Sequence, residues 1–136
     1  MRNKLTLLIA AAGLLLAAVA PSWAHHAFAA EFDANKPIKF TGTVVKVDFI
    51  NPHSWIHMDV KDASGKVTRW MIEGGSPNTL FRRGITRDSL PEGTQITVDG
   101  YQAKDGSFKA NGRDVTYADG RKIFLSGSAP NEQPTK

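Results

Sequence analysis

The residues in this chain best suited to chemistry are four histidines, and they fall in two tight groups. His25 and His26 are adjacent, and His53 and His57 stand four apart. A chain cut after Ala24 would present His25 as its first residue, with a free α-amino group beside its imidazole. The amine and a ring nitrogen of that residue can chelate one ion. A second histidine completes a plane of three nitrogens, the arrangement called a histidine brace. Nitrogen ligands of this type favour Cu(II) over the other first-row divalent ions. An α-amino group titrates at about 7.7–8.0, so a metal can displace its proton near neutrality.

Strand geometry restricts the second ligand. Residues four apart on an extended strand are ~13 Å from each other, at ~3.3 Å per residue. His53 and His57 therefore share an ion only if the chain bends between them. Asn51-Pro52 could start a helix that would bring them together, but the alternation of Ile56, Met58 and Val60 points to a strand. The expected copper site is His25 with His53 or His57, with His26 as a further ligand. Met58 and Met71 read as core. Against this stands the plainer reading of the same residues: His25 and His26 as solvated linker, His53 bonded to backbone at a turn, His57 filling a strand face.

A rival of a different class needs no metal. Trp55, Arg82, Arg83 and Lys104 would form an aromatic and basic face that contacts an envelope component. A third reading, a redox enzyme built on the brace, has no readable substrate groove behind it. Glu73 and Asp59 stand as isolated acids with no basis for an acid–base pair. There is no Gly-x-Ser-x-Gly elbow, phosphate loop or Cys-x-x-Cys, so no hydrolase or transferase is indicated.

These residues need a scaffold and a compartment. Arg2 and Lys4 precede an uncharged run from Leu5 to Ala20, then Pro21 and the small-residue ending Ser22-Trp23-Ala24. This is the three-part layout of a cleavable secretory signal, 1–24. The run is short for a spanning helix, which needs ~20 apolar residues. The expectation is an exported, periplasmic or secreted protein with no membrane span after cleavage. Loss of Arg2 and Lys4 lowers the formal charge from +4 by two. That near-neutral balance, with export, argues against nucleic acid as a partner. With no cysteine, disulfides and thiolate chemistry are excluded.

The mature chain is long enough for one domain and one core. An irregular lead-in is expected over 25–37, a β-domain over 38–125 and a flexible tail over 126–136. Phe40 to Phe49 reads as a long strand, with Val45, Val47 and Phe49 on one face and Phe40 and Val44 on the other; Gly42 marks a bulge. Trp55–Val60 and Val67–Glu73 follow around a Ser64-Gly65 turn. Ser76-Pro77 begins a short helix that ends at Gly84. Thr94–Ala103 is the next strand. The Asp105-Gly106 and Asp119-Gly120 turns bracket another, and Ile123–Leu125 gives a last short one. Five or six strands with one helix between the third and fourth suit a small barrel of oligonucleotide/oligosaccharide-binding (OB) type. An open sandwich is the alternative.

The blocks HHAFAAEFD at 25–33, GTVVKVDFINPH at 42–53, GSPNTLFRRG at 75–84 and GYQAKDGS at 100–107 resemble, in that order, the uncharacterised exported bacterial family catalogued as domain of unknown function 6152. The resemblance implies a small exported β-domain without an assigned activity, and it supplies no catalytic residues. His25, His26 and the histidine of Asn-Pro-His, His53, match the family pattern. The position of His57 is commonly aromatic or aliphatic in relatives. The resemblance therefore favours His53 over His57 as the partner ligand.

Overall fold

A computed structural model describes residues 27–125, 127 and 129. The expected leader, His25, His26 and most of the expected tail lie outside the described residues. The described fold is mainly β. Its strands are β1 (Phe32–Asp48), β2 (Trp55–Lys61), β3 (Val67–Glu73), β4 (Gln95–Ala103), β5 (Lys109–Tyr117) and β6 (Lys122–Phe124), with helix α1 (Pro77–Arg82) between β3 and β4. The strand order is β3-β2-β1-β4-β5-β6. Neighbours run antiparallel, but β3 also pairs with β5 in parallel through Met71↔Lys109, Ile72↔Ala110 and Glu73↔Asn111. That last pairing bends the sheet into a ring.

The long β1 makes the ring possible. Its first part pairs with β4 and its second with β2. The apolar pattern changes phase inside it. Ile38, Phe40 and Val44 face the core, then a one-residue shift between Val44 and Lys46 returns Val47 to the same side. The expected split of Val44 and Val47 onto opposite faces is thus corrected, because the bulge falls at Val45 and not at Gly42. Gly42 has another role: a Cβ there would lie 2.5 Å from the Asp59 carbonyl oxygen. It is glycine because β2 passes too close for a side chain.

Val44, Ile56, Met58, Ile72, Ile96, Val98 and Val115 fill the centre of the ring. The period-2 reading of β2 and β4 holds, since Ile56, Met58, Ile96 and Val98 all point inward. Both Asp-Gly turns are present, with Gly106 at φ 76° and Gly120 at φ 89°, a region where only glycine is unstrained.

The start of the domain differs from the sequence expectation. The described part of the lead-in is ordered: residues 27–31 make one helical turn and β1 begins at Phe32, not near Ile38. The signal is the i, i+4 spacing of Phe28 and Phe32, which puts both rings on one side of a helical turn. They pack with Ala103 and Tyr101 in a second apolar cluster. Lys104 fastens the turn twice, its N–H donating to the Glu31 carbonyl at 2.9 Å and its Nζ to the Ala29 carbonyl at 2.5 Å. Between Phe32 and Pro37, residues 33–36 leave the β4 ladder, as a wide irregularity between Phe32↔Ala103 and Pro37↔Tyr101.

Helix α1 matches its sequence signals. Ser76 is the N-cap, its Oγ accepting from the Thr79 N–H at 3.3 Å, and Pro77 occupies the first turn. Replacing Ser76 with alanine should cost about 1 kcal/mol. Urea unfolding would show this as a lower midpoint at unchanged slope.

Candidate functional site

The ring closure builds a site. Because Glu73 and Asn111 are register partners in the β3–β5 pair, their side chains meet: Asn111 Nδ2 donates to Glu73 Oε1 at 3.1 Å. Trp55 is the register partner of Glu73 across β2–β3. The preceding segment, with a cis Asn51–Pro52 bond, docks onto the end of β3. There the Ser54 N–H donates to the Gly75 carbonyl at 2.9 Å, and the Gly74 N–H to the Ser54 carbonyl at 2.8 Å. This pair of hydrogen bonds sets His53 over the end of β3, with Nδ1 3.3 Å from Glu73 Oε2.

The two partners differ sharply in exposure, 32% for the His53 side chain and 3% for that of Glu73. The carboxylate is thus a buried anchor and the imidazole a presented group. A proton on Nδ1 would face this carboxylate and leave the Nε2 lone pair to a ligand. Such a histidine can bind a metal ion or exchange a proton; whatever adjoins Nε2 decides between them.

A cleft of about 380 Å³ opens over this pair. One wall is His53, Trp55 and Glu73 with the Asn51-Pro52 turn; the other is Ala27, Ala30, Glu31 and Phe32 from the helical turn. The segment that follows His25 and His26 therefore folds back against the segment carrying His53. Among the described residues no group of three or more His, Cys, Asp or Glu side chains is placed to hold a metal.

The remaining sequence candidates are dispersed. His57 is not in the cleft: its Nε2 is 2.8 Å from Asp48 Oδ2, which Lys46 Nζ also meets at 2.7 Å. Lys46 first, then His57, hold the Asp48 carboxyl below the usual carboxylate range against the opposing effect of burial. The contribution of Asp48 to stability is therefore complete above its unfolded pKa and is lost as pH falls through its lower folded value. Thermal melts of the parent and Asp48→Asn should differ by a gap that is full near pH ~5 and narrows below pH ~4.

Trp55, Arg82, Arg83 and Lys104 do not converge on one feature. Trp55 lines the His53 cleft, Lys104 is engaged with Ala29, and Arg83 lies over the Phe124 ring, 4.8 Å from its centroid, in a separate groove. Arg82 is exposed in the last turn of α1. Glu73, an isolated acid in the sequence, is instead the residue on which His53 rests.

Fold and site together define a mainly β domain with a histidine–carboxylate pair presented in a cleft at the seam of a ring-like sheet. The chain belongs to a family of unknown function, DUF6152, whose model matches residues 12–112. No curated protein and no solved structure matches the chain.

Proposed function

We propose that this is an exported copper-binding protein whose mature N-terminus supplies part of the site. The single observation that carries the reading is the fold-back of residues 27–32 onto the His53 cleft. Consecutive Cα atoms are ~3.8 Å apart, so connectivity alone keeps the Cα of His25 within ~7.6 Å of that of Ala27. Cleavage after Ala24 would then create an α-amine on His25, two residues ahead of Ala27 in the wall of the His53 cleft, and the proposed site joins that amine and the His25 imidazole to His53 Nε2, with His26 as a further donor. The buried Glu73, steadied by Asn111, supports the ligand from behind, as carboxylates commonly support metal-bound imidazole. Three nitrogens of this kind suit Cu(II).

The scaffold under this site is read as a small OB-type barrel. The parallel β3–β5 closure, the long bent β1 and the helix between β3 and β4 support that reading. A leader at 1–24 would deliver the chain to the periplasm or the medium.

The test is a one-equivalent Cu(II) titration of protein recovered from the periplasm, followed by native mass spectrometry and a competition assay. The parent should begin at His25 and hold one copper. His53→Ala should lose on the order of a hundredfold in affinity, about 2.7 kcal/mol. A correctly cleaved chain that stays metal-free, or a His53→Ala variant with parental affinity, would overturn the proposal.

A further inference from the structure

The outer edge of β6 borders a second groove, larger than the His53 cleft. The Leu125 N–H donates to the Arg113 carbonyl and the Tyr117 N–H to the Arg121 carbonyl. In an antiparallel ladder the hydrogen-bonded residues alternate. Ile123 therefore bonds toward β5, while the backbone N–H and C=O of Lys122 and Phe124 point away from it. β6 ends the strand order, and among the described residues no further strand takes up those groups. Both residues line a groove of about 1060 Å³, closed on its far side by the loop from Arg83 to Pro91. That loop is held to the sheet by the Tyr117 hydroxyl, which donates to the Ser89 carbonyl.

The charge beside this edge is positive. Lys122 and Phe124, two apart, project on the same face of β6. The Arg83 guanidinium sits over the Phe124 ring and so occupies that face too. Neither Arg83 nor Lys122 forms an ion pair among the described residues. Arg121 adds a third cation, shared with Asp119 at 2.7 Å, and Asp88 is the acid on the loop side. Side chains of an added strand would project toward Lys122 and Arg83 at every second position.

We infer that this groove binds an extended acidic peptide segment, which adds a strand to β6 and sets alternate carboxylates against Lys122 and Arg83. Backbone bonding to Lys122 and Phe124 would supply the register, and the two cations the selectivity. The inference is independent of the copper reading, since none of these residues lines the His53 cleft.

The experiment titrates isotope-labelled protein with a blocked (Glu-Val)4 peptide, with (Lys-Val)4 and with inorganic polyphosphate. The acidic peptide should shift and protect the Lys122 and Phe124 amides from exchange, and the basic peptide should not. The exposed substitution Lys122→Glu should weaken the acidic peptide at least about tenfold. Its fold is checked by an unchanged melting temperature; if that falls, Arg83→Gln takes its place. Peptide binding without protection of those two amides, equal binding of the basic peptide, or polyphosphate bound as tightly as the acidic peptide would each overturn the inference.

Discussion

Replacing Gly100 with alanine should be among the most damaging single-methyl changes in this domain. Gly100 on β4 is the register partner of Gly112 on β5, directly after a shift in that ladder. A Cβ at Gly100 would stand 2.1 Å from the Asn111 carbonyl oxygen and 3.2 Å from the Gly112 Cα. Both obstacles are backbone, so no rotamer change relieves them, and the two strands must part. Overpacking of a core costs ~1–3 kcal/mol when side chains can yield. With backbone opposing, ~3 kcal/mol or more is expected, a large share of the ~5–15 kcal/mol that holds a domain together. The melting temperature should fall by on the order of 15 °C. Gly74→Ala is the matched control. It is also buried, but its Cβ would find its nearest neighbour at 3.6 Å, ordinary contact, and it should melt close to the parent. Equal losses at the two positions would show that close strand approach is not what requires glycine at Gly100.

That clash also links the scaffold to the site. Asn111, whose carbonyl blocks Gly100, donates through its side chain to Glu73, and Glu73 faces His53. A β4–β5 pair forced apart would displace Asn111 and with it the support under the imidazole.

Much of the scaffold was legible because its determinants are local. Alternation over β2 and β4, the Ser76-Pro77 helix start and the Asp-Gly turns each depend on residues a few positions apart. The start of β1 was less legible. Phe28 and Phe32 carry a helical spacing, but one turn is too short to show a period without its partners Tyr101 and Ala103. The bulge at Val45 was hidden for a related reason. Apolar residues on both sides of it imitate a strand with two buried faces, and only pairing with β2 shows the change of phase.

The candidate site was half legible. His53 stands out by residue type, whereas Glu73 gains its meaning from a residue 20 positions before it and another 38 after it. Half of that relation was within reach. The turn at Ser64-Gly65 sets the β2–β3 register, which puts Glu73 opposite Trp55 and on the side of the sheet where His53 arrives two residues earlier. The other half, Asn111, comes from the parallel closure of the ring, which no local pattern encodes. By residue type alone His57 looked equivalent to His53, and strand alternation could not show that Asp48 would engage it.

A four-residue Gly-Ser-Gly-Ser spacer retained ahead of His25 should weaken Cu(II) binding by on the order of a hundredfold, about 2.7 kcal/mol. It should leave the melting temperature of the metal-free protein unchanged. The spacer keeps every side chain of the proposed site, including His53 and the Glu73 behind it. What it removes is the α-amine from the residue that bears the first imidazole, and with it the chelate ring that amine and imidazole close together. The length matters chemically. A spacer of one or two residues would put His26 or His25 third in the chain, where the terminal amine, two backbone amide nitrogens and the imidazole can hold Cu(II) without the cleft. At four residues neither histidine takes that place. The comparison with His53→Ala then separates the two halves of the brace. Loss in both variants requires ligands from the N-terminus and from the cleft. If the spacer variant kept parental affinity while His53→Ala lost it, copper would sit on imidazoles alone, and the cut after Ala24 would play no part in binding.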